Sequence, residues 1–119
     1  MAVMRILEDL QTIEKLCRKY GRDDRANDVE QQSALFEKDR KLFWSKFVSL
    51  TWWGGSGSMA DMELYAEDGS IADGERKKDN RSYRSTLISI YEQMVGAGHE
   101  YAQAKSWIDT FRVWERNGI

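Results

Sequence analysis

The chain has 119 residues, of which 41% are hydrophobic, and its 18 basic and 20 acidic side chains give a formal net charge of −2. This length favours a single domain over residues 1–119, because one core usually forms on about 100–150 residues. The slight acidic excess disfavours general binding to nucleic acid, which requires a clustered basic surface.

Apolar residues at helical spacing predict two helices in the first half of the chain. The first helix ends at Gly21, a residue that readily adopts the left-handed conformation. Its stripe consists of Val3, Ile6, Leu10, Ile13, Cys17 and Tyr20. After the polar connection "RDDRAND", Asn27 and Glu30 resemble a capping box that opens the second helix. That helix carries Leu35, Phe36, Leu42, Phe43, Phe47 and Leu50.

The stretch "TWWGGSGSMADMEL", residues 51–64, is the predicted corner between the two helical halves. Gly54 or Gly55 can end the second helix there. The β-branched and aromatic residues of "FVSLTWW" leave a short strand open, and the alternation at Met62 and Leu64 leaves a short β-hairpin open. In this corner the two tryptophans either cover an edge of the core or face a partner.

Two further helices are predicted in the second half, which makes the expected fold all-α with four helices. The third helix ends at Gly96 or Gly98. Its stripe is Tyr83, Leu87, Ile90, Tyr91 and Met94. The fourth helix carries Tyr101, Ala104, Trp107, Ile108, Phe111 and Trp114. Short connections predict that consecutive helices are antiparallel.

Other features restrict the compartment and the cofactors. No apolar run approaches the roughly 18–20 residues of a spanning helix, and Arg5, Glu8 and Asp9 interrupt the apolar core that a signal peptide requires. We therefore predict a cytoplasmic protein that does not enter a membrane. Cys17 is the only cysteine, so neither an internal disulfide nor a thiolate zinc site is expected, and we predict no metal and no cofactor.

The residue types of the corner are compatible with three kinds of site. Residues 55–60 match G-x-G-x-x-A, but a nucleotide fingerprint needs a strand before it and a helix after it. Ser58, His99 and Asp61 contain the residue types of a hydrolase triad, although the G-x-S-x-G pattern is incomplete. Asp61 and Glu63 would share a face if the segment is extended, as paired carboxylates do in acid–base catalysis.

Charge is arranged in two adjacent blocks after the corner. Between positions 61 and 75 there are six acidic residues and no Lys or Arg. The basic residues Arg76, Lys77, Lys78, Arg81 and Arg84 follow almost at once. The acidic block can steer a basic partner, whereas the basic block makes nucleic-acid binding a weaker alternative because acids adjoin it.

The string "GGSGSMADMEL" resembles a motif of a family of small bacterial proteins of unassigned function, in which Gly-Gly-x-Gly-Ser precedes an Asn-Asp pair and an extended apolar stretch. Residues 54, 55, 57, 58 and 61 match this pattern, while Ala60 replaces the asparagine. The resemblance implies a compact, mainly helical bacterial protein. Such proteins are similar to the immunity partners of secreted toxins, which are small, acidic and without catalytic motifs.

The leading functional prediction is a noncatalytic protein-binding module, specifically an immunity protein that blocks a toxin domain with a basic cleft. The predicted partner-binding residues are Trp52, Trp53, Asp61, Glu63, Tyr65, Glu67 and Asp68, and the residues that shape the loop are Gly54, Gly55, Gly57 and Ser58. The alternative is a small hydrolase or ligand-binding protein that uses Ser58 and the carboxylates of the loop.

Overall fold

The computed structural model describes residues 2–66 and 68–119 and contains six α-helices in those ranges. They are α1 (Ala2–Lys19), α2 (Asp23–Lys38), α3 (Arg40–Phe47), α4 (Leu50–Trp53), α5 (Asp73–Gly96) and α6 (Ala102–Arg116). The predicted all-α class is confirmed, whereas the predicted number of four helices is too small. The described ranges contain no strand, so the hairpin and the strand at "FVSLTWW" are not formed there. None of these helices is long and apolar enough to cross a membrane.

The second predicted helix is divided in two at Asp39. This residue has extended backbone angles, φ −155° and ψ 92°, so it interrupts the helix. Its side chain accepts a hydrogen bond from the backbone N–H of Leu42 at 3.1 Å and thereby caps α3. The break changes the direction of the chain without a proline or a glycine.

The capping box predicted at Asn27 and Glu30 is wrong, because α2 already begins at Asp23. Both side chains instead accept hydrogen bonds from Arg18 on α1, at 3.2 and 2.9 Å. A polar pattern that is typical of a helix start therefore serves here to join two antiparallel neighbours.

Helix α5 starts ten residues earlier than Tyr83, the first residue of the predicted stripe. The basic block consequently lies on a helix and not in a connection. Helix α5 packs against α1 on one side and α6 on the other. It ends at Gly96, and Gly98 takes the left-handed conformation with φ 91°.

All six helices contribute to one hydrophobic core. Apart from Val3, whose side chain lies outside the described part, the predicted stripe of α1 is buried. Cys17 belongs to this core, and burial raises the pKa of its thiol to about 11. The thiol is therefore protonated at neutral pH and unsuited to nucleophilic chemistry.

Candidate functional site

Residues 54–64, the glycine-rich segment, cross the bundle and are held by side chains from several helices. Trp107 of α6 donates from Nε1 to the carbonyl of Gly54 at 2.9 Å. Tyr83 of α5 donates its hydroxyl to the carbonyl of Met59 at 2.6 Å. Arg25 of α2 donates to the carbonyl of Gly57. The segment is irregular, so these carbonyls have no partners within a helix or a sheet. The side-chain donors satisfy them instead.

A second set of hydrogen bonds closes the turn within the segment. The Ser58 hydroxyl donates to the Gly54 carbonyl at 2.8 Å and accepts from the Asp61 N–H at 3.2 Å. Asp61 in turn accepts from the Gly57 N–H at 3.2 Å. The side chains of Ser58 and Asp61 are thus both used to fix the backbone.

The predicted role of the glycines in shaping the loop differs from one position to the next. Gly57 has φ 87°, which side-chain-bearing residues rarely adopt. At Gly54 an added Cβ would lie 2.5 Å from the carbonyl oxygen of Leu50, which is backbone and cannot move aside cheaply. At Gly55 no heavy atom lies within 4 Å and φ is not positive, so neither reason requires glycine there.

Asn80 of α5 fixes the far end of the segment, a role that the sequence analysis missed. Its Oδ1 accepts from the Leu64 N–H at 2.8 Å, and its Nδ2 donates to the Leu64 carbonyl at 3.1 Å. One side chain therefore satisfies both backbone groups of a fully buried residue, as a neighbouring strand would. The sequence holds a clue, since Asn80 continues the stripe of Tyr83 and Leu87 and is thus a polar residue on a buried face.

The tryptophans of the corner lie in the core. Trp52 is 3% exposed and Trp53 is fully buried. Both pack against Phe47, with ring centroids 4.3 and 6.0 Å away. Their assignment as outward-facing partner anchors is wrong, and the alternative in which they cover the core is what the structure shows. Two large aromatic residues beside a tight turn gain more from burial than from exposure to water.

The arrangement of Ser58 does not resemble an activated nucleophile. The residue is buried, and its hydroxyl hydrogen points to the Gly54 carbonyl rather than to a base. His99 stacks on Trp44 of α3, with ring centroids 5.0 Å apart, and among the described residues it makes no hydrogen bond to Ser58. The grouping of Ser58, His99 and Asp61 is therefore not assembled in this conformation.

The remaining predicted binding residues are exposed on residues 61–70, which we call the presenting loop. Tyr65 is 62% exposed, the largest exposed fraction among the large hydrophobic residues of the described chain. Asp61, Glu63 and Asp68 are exposed as well. The Asp68 carboxylate accepts from the Ser70 N–H at 3.0 Å, and hydrogen bonding by Ser70 lowers the pKa of Asp68. Glu67 lies outside the described residues.

The acidic block does not form one continuous negative surface. Arg76 pairs with Glu63 at 3.7 Å and with Asp73 at 3.9 Å. Lys19 lies 3.5 Å from the Glu75 carboxylate. Among the described acids of the loop, Asp61 and Asp68 have no basic side chain within 4.0 Å. The negative charge that can steer a partner therefore comes from Asp61 and Asp68, although Arg18, Lys19 and Arg22 line the same cavity as Asp68.

Asp61 and Glu63 also line a cavity of about 200 Å³ between the glycine-rich segment, α5 and α6. Trp107 and Trp114 contribute its aromatic walls, and Arg84 also lines it. This volume is below the roughly 300–1,000 Å³ of ordinary small-molecule sites. In the described part of the chain, no three His, Cys, Asp or Glu residues are placed to hold a metal ion.

Comparison of the chain with protein-family models, with curated proteins and with solved structures finds no match.

Proposed function

We propose that this chain is a noncatalytic protein-binding module whose contact surface is the presenting loop, residues 61–70. The observation that supports this most is the position of Tyr65, an exposed aromatic side chain that directly follows the anchored residue Leu64. Tyrosine is enriched among residues that dominate binding energy at protein interfaces. A large apolar side chain in water is unfavourable for the free protein, so a partner that covers it gains the energy of burial.

The start of the presenting loop is prepared for binding because hydrogen bonds fix the backbone that precedes Tyr65. Asn80 holds Leu64, the residue immediately before Tyr65, and Tyr83 holds Met59. A surface that is already ordered loses less conformational entropy on association than a flexible one. This supports recognition by a rigid loop.

The specific role we propose is that of an immunity protein that blocks a toxin domain. The active-site cleft of that toxin would be positively charged. Asp61 and Asp68 supply the negative charge for steering, and Tyr65 supplies the apolar anchor in place of the buried Trp52 and Trp53. Glu63 contributes less to steering because Arg76 already lies 3.7 Å from it. The resemblance of residues 54–61 to the bacterial motif supports this role independently of the geometry.

The hydrolase alternative loses its nucleophile, since the Ser58 hydroxyl is used to close a turn. A ligand-binding alternative keeps one supporting observation, which is that Asp61 and Glu63 line the same small cavity.

We expect Tyr65→Ala to weaken the complex with the toxin by about thirtyfold or more, because truncating a central aromatic residue of an interface typically costs about 2 kcal/mol or more. The partner to use is the product of the gene adjacent to this one, with affinity measured by surface plasmon resonance and protection measured as survival on co-expression. Asp61→Asn with Asp68→Asn should slow association and flatten its salt dependence.

Leu50→Ala is the control, since Leu50 is 61% exposed but lies on α4 outside the loop. Its affinity should stay within about twofold of the unchanged protein, as expected away from an interface. Equal weakening by Leu50→Ala and Tyr65→Ala would contradict the loop as the contact surface. The immunity role would be contradicted if the neighbouring gene product neither bound this protein nor was toxic to cells.

A further inference from the structure

A second surface, which adjoins the presenting loop at Glu63, runs along α5 on the side of its basic residues. A cavity of about 310 Å³ opens there between α5, the start of the presenting loop and residues 118–119. Its charged lining residues are Glu63, Arg76, Lys77, Arg81 and Arg84. We call these four basic residues with the cavity between them the basic cleft. Four cationic side chains against one side-chain carboxylate give it an excess of positive charge.

Three of the four cations have no Asp or Glu partner. Among the described residues, no Asp or Glu oxygen lies within 4.0 Å of the charged groups of Lys77, Arg81 or Arg84. Arg81 donates to the carbonyl of Gly118, and Arg84 donates to the main-chain oxygen of Ile119, the last residue of the sequence, at 2.6 Å. A guanidinium group has five N–H donors, so most of their donor capacity stays open. What distinguishes these cations is that they line one cavity, since several other basic residues of the described chain also lie outside any ion pair.

Arg84 is held in a fixed position at the centre of the cleft. Its guanidinium lies 5.4 Å from the ring centroid of Trp114 on α6. Partial burial, with the nearby charge of Arg81 as a second cause, lowers the pKa of Arg84. The carboxylates of Glu63 and Glu115 act in the opposite direction on Arg84 but do not outweigh these two causes, so an added anion is favoured beside the Arg81 and Arg84 pair.

The spacing of the cations distinguishes between possible anions. Residues 76 and 84 are eight positions apart, about 12 Å along a helix axis, so one phosphate group contacts both only if the two side chains extend towards each other. Arg81 and Arg84 are three positions apart and share one face, where a single phosphoryl group can receive both guanidinium groups. Linked phosphates extend from this pair towards Lys77 and Arg76.

We infer that the basic cleft binds the phosphate chain of a small di- or triphosphate ligand, with Arg81 and Arg84 on one phosphoryl group and Lys77 and Arg76 on the next. Planar guanidinium groups donate paired hydrogen bonds to phosphate oxygens. Glu63 opposes binding, because its carboxylate lies at the cleft and occupies Arg76. This inference is independent of the protein-binding function, since it rests on α5 and not on Tyr65.

Titration with inorganic pyrophosphate at constant ionic strength, followed by isothermal calorimetry and NMR shifts, tests the inference. We expect saturable one-to-one binding that Arg81→Gln weakens about tenfold or more, as for loss of charge-assisted hydrogen bonds. Arg84→Gln should weaken it similarly, but Arg84 also packs on Trp114, so the exposed Arg81 gives the cleaner result. Glu63→Gln should strengthen binding by severalfold.

Lys78→Gln is the matched control, because it removes one positive charge from the same helix but Lys78 does not line the cleft. It should change the affinity by less than about twofold. Equal weakening by Lys78→Gln and Arg81→Gln would overturn the inference, since binding would then follow net charge alone. Binding of sulfate or citrate as tight as that of pyrophosphate would overturn it as well. Binding of a single-stranded oligonucleotide but not of pyrophosphate would also overturn the inference, since the surface would then recognise nucleic acid.

Discussion

Trp53→Ala should destabilise the protein by about 3–5 kcal/mol, the usual range for removing a buried tryptophan. Trp53 is fully buried and lies edge-on to Phe47 and Tyr91, so the truncated side chain leaves a cavity that the neighbouring rings cannot fill. A domain of this size is usually stable by only about 5–15 kcal/mol, so this loss is a large fraction of the total. Urea unfolding followed by circular dichroism measures the change directly.

Two further variants test whether this loss of stability comes from removing a buried aromatic ring. Tyr65→Ala should change stability by less than about 0.5 kcal/mol, because Tyr65 is mostly exposed. Trp53→Phe should destabilise less than Trp53→Ala, since it keeps an aromatic ring and removes an indole N–H that is buried without a hydrogen-bond acceptor. A Trp53→Ala protein as stable as the unchanged chain would show that this indole is outside the core.

Asn80→Ala should destabilise the protein by about 2–4 kcal/mol. The substitution leaves both the N–H and the carbonyl of Leu64 buried without partners, and each such group costs about 1–3 kcal/mol. The loss also frees the start of the presenting loop, so the variant should be cleaved faster by chymotrypsin after Tyr65 under native conditions. Unfolding curves and limited proteolysis measure the two effects.

Asn117→Ala serves as the control for Asn80→Ala, because Asn117 is exposed and contributes only backbone hydrogen bonds at the end of α6. It should change stability by less than about 0.5 kcal/mol. If Asn80→Ala were equally mild, water or another side chain would satisfy Leu64 equally well, and the loop would not depend on Asn80.

Helical periodicity predicted the fold class because the apolar stripes of α1, α5 and α6 alternate three- and four-residue steps. Helix ends were predicted less well. Asn27 and Glu30 fit a capping box, but Arg18 on another helix is the partner that they bind. A local pattern cannot distinguish a cap from a contact that depends on where a distant helix packs.

At the site, too, features that depend on local sequence were predicted better than features that depend on tertiary contacts. The glycines at positions 54 and 57 were identified as loop-shaping residues, since their conformational role is local. The location of Trp52 and Trp53 could not be predicted in the same way, because apolar residues beside a turn can face either the core or water. Tyr65 is exposed, whereas its neighbour Leu64 is buried. The tertiary contact with Asn80 determines which of these two residues points inward.

The presenting loop and the basic cleft share Glu63, whose carboxylate lies 3.7 Å from Arg76. An anion on Arg76 would compete with this ion pair and release Glu63. The electrostatics of the two surfaces are therefore linked through one residue, although each surface has its own expected ligand and its own test.

Amide hydrogen exchange, measured residue by residue by NMR, tests most directly whether the glycine-rich segment is a fixed support for the exposed Tyr65. The N–H groups of Met59, Ala60 and Leu64 donate to Thr51, Trp52 and Asn80, at 2.9, 2.9 and 2.8 Å. We expect these three amides to exchange as slowly as those in the middle of α5, and to lose that protection only on global unfolding. Exchange of the same amides at the rate of an unstructured chain would contradict the support, and with it the proposal that the loop is ordered before a partner binds.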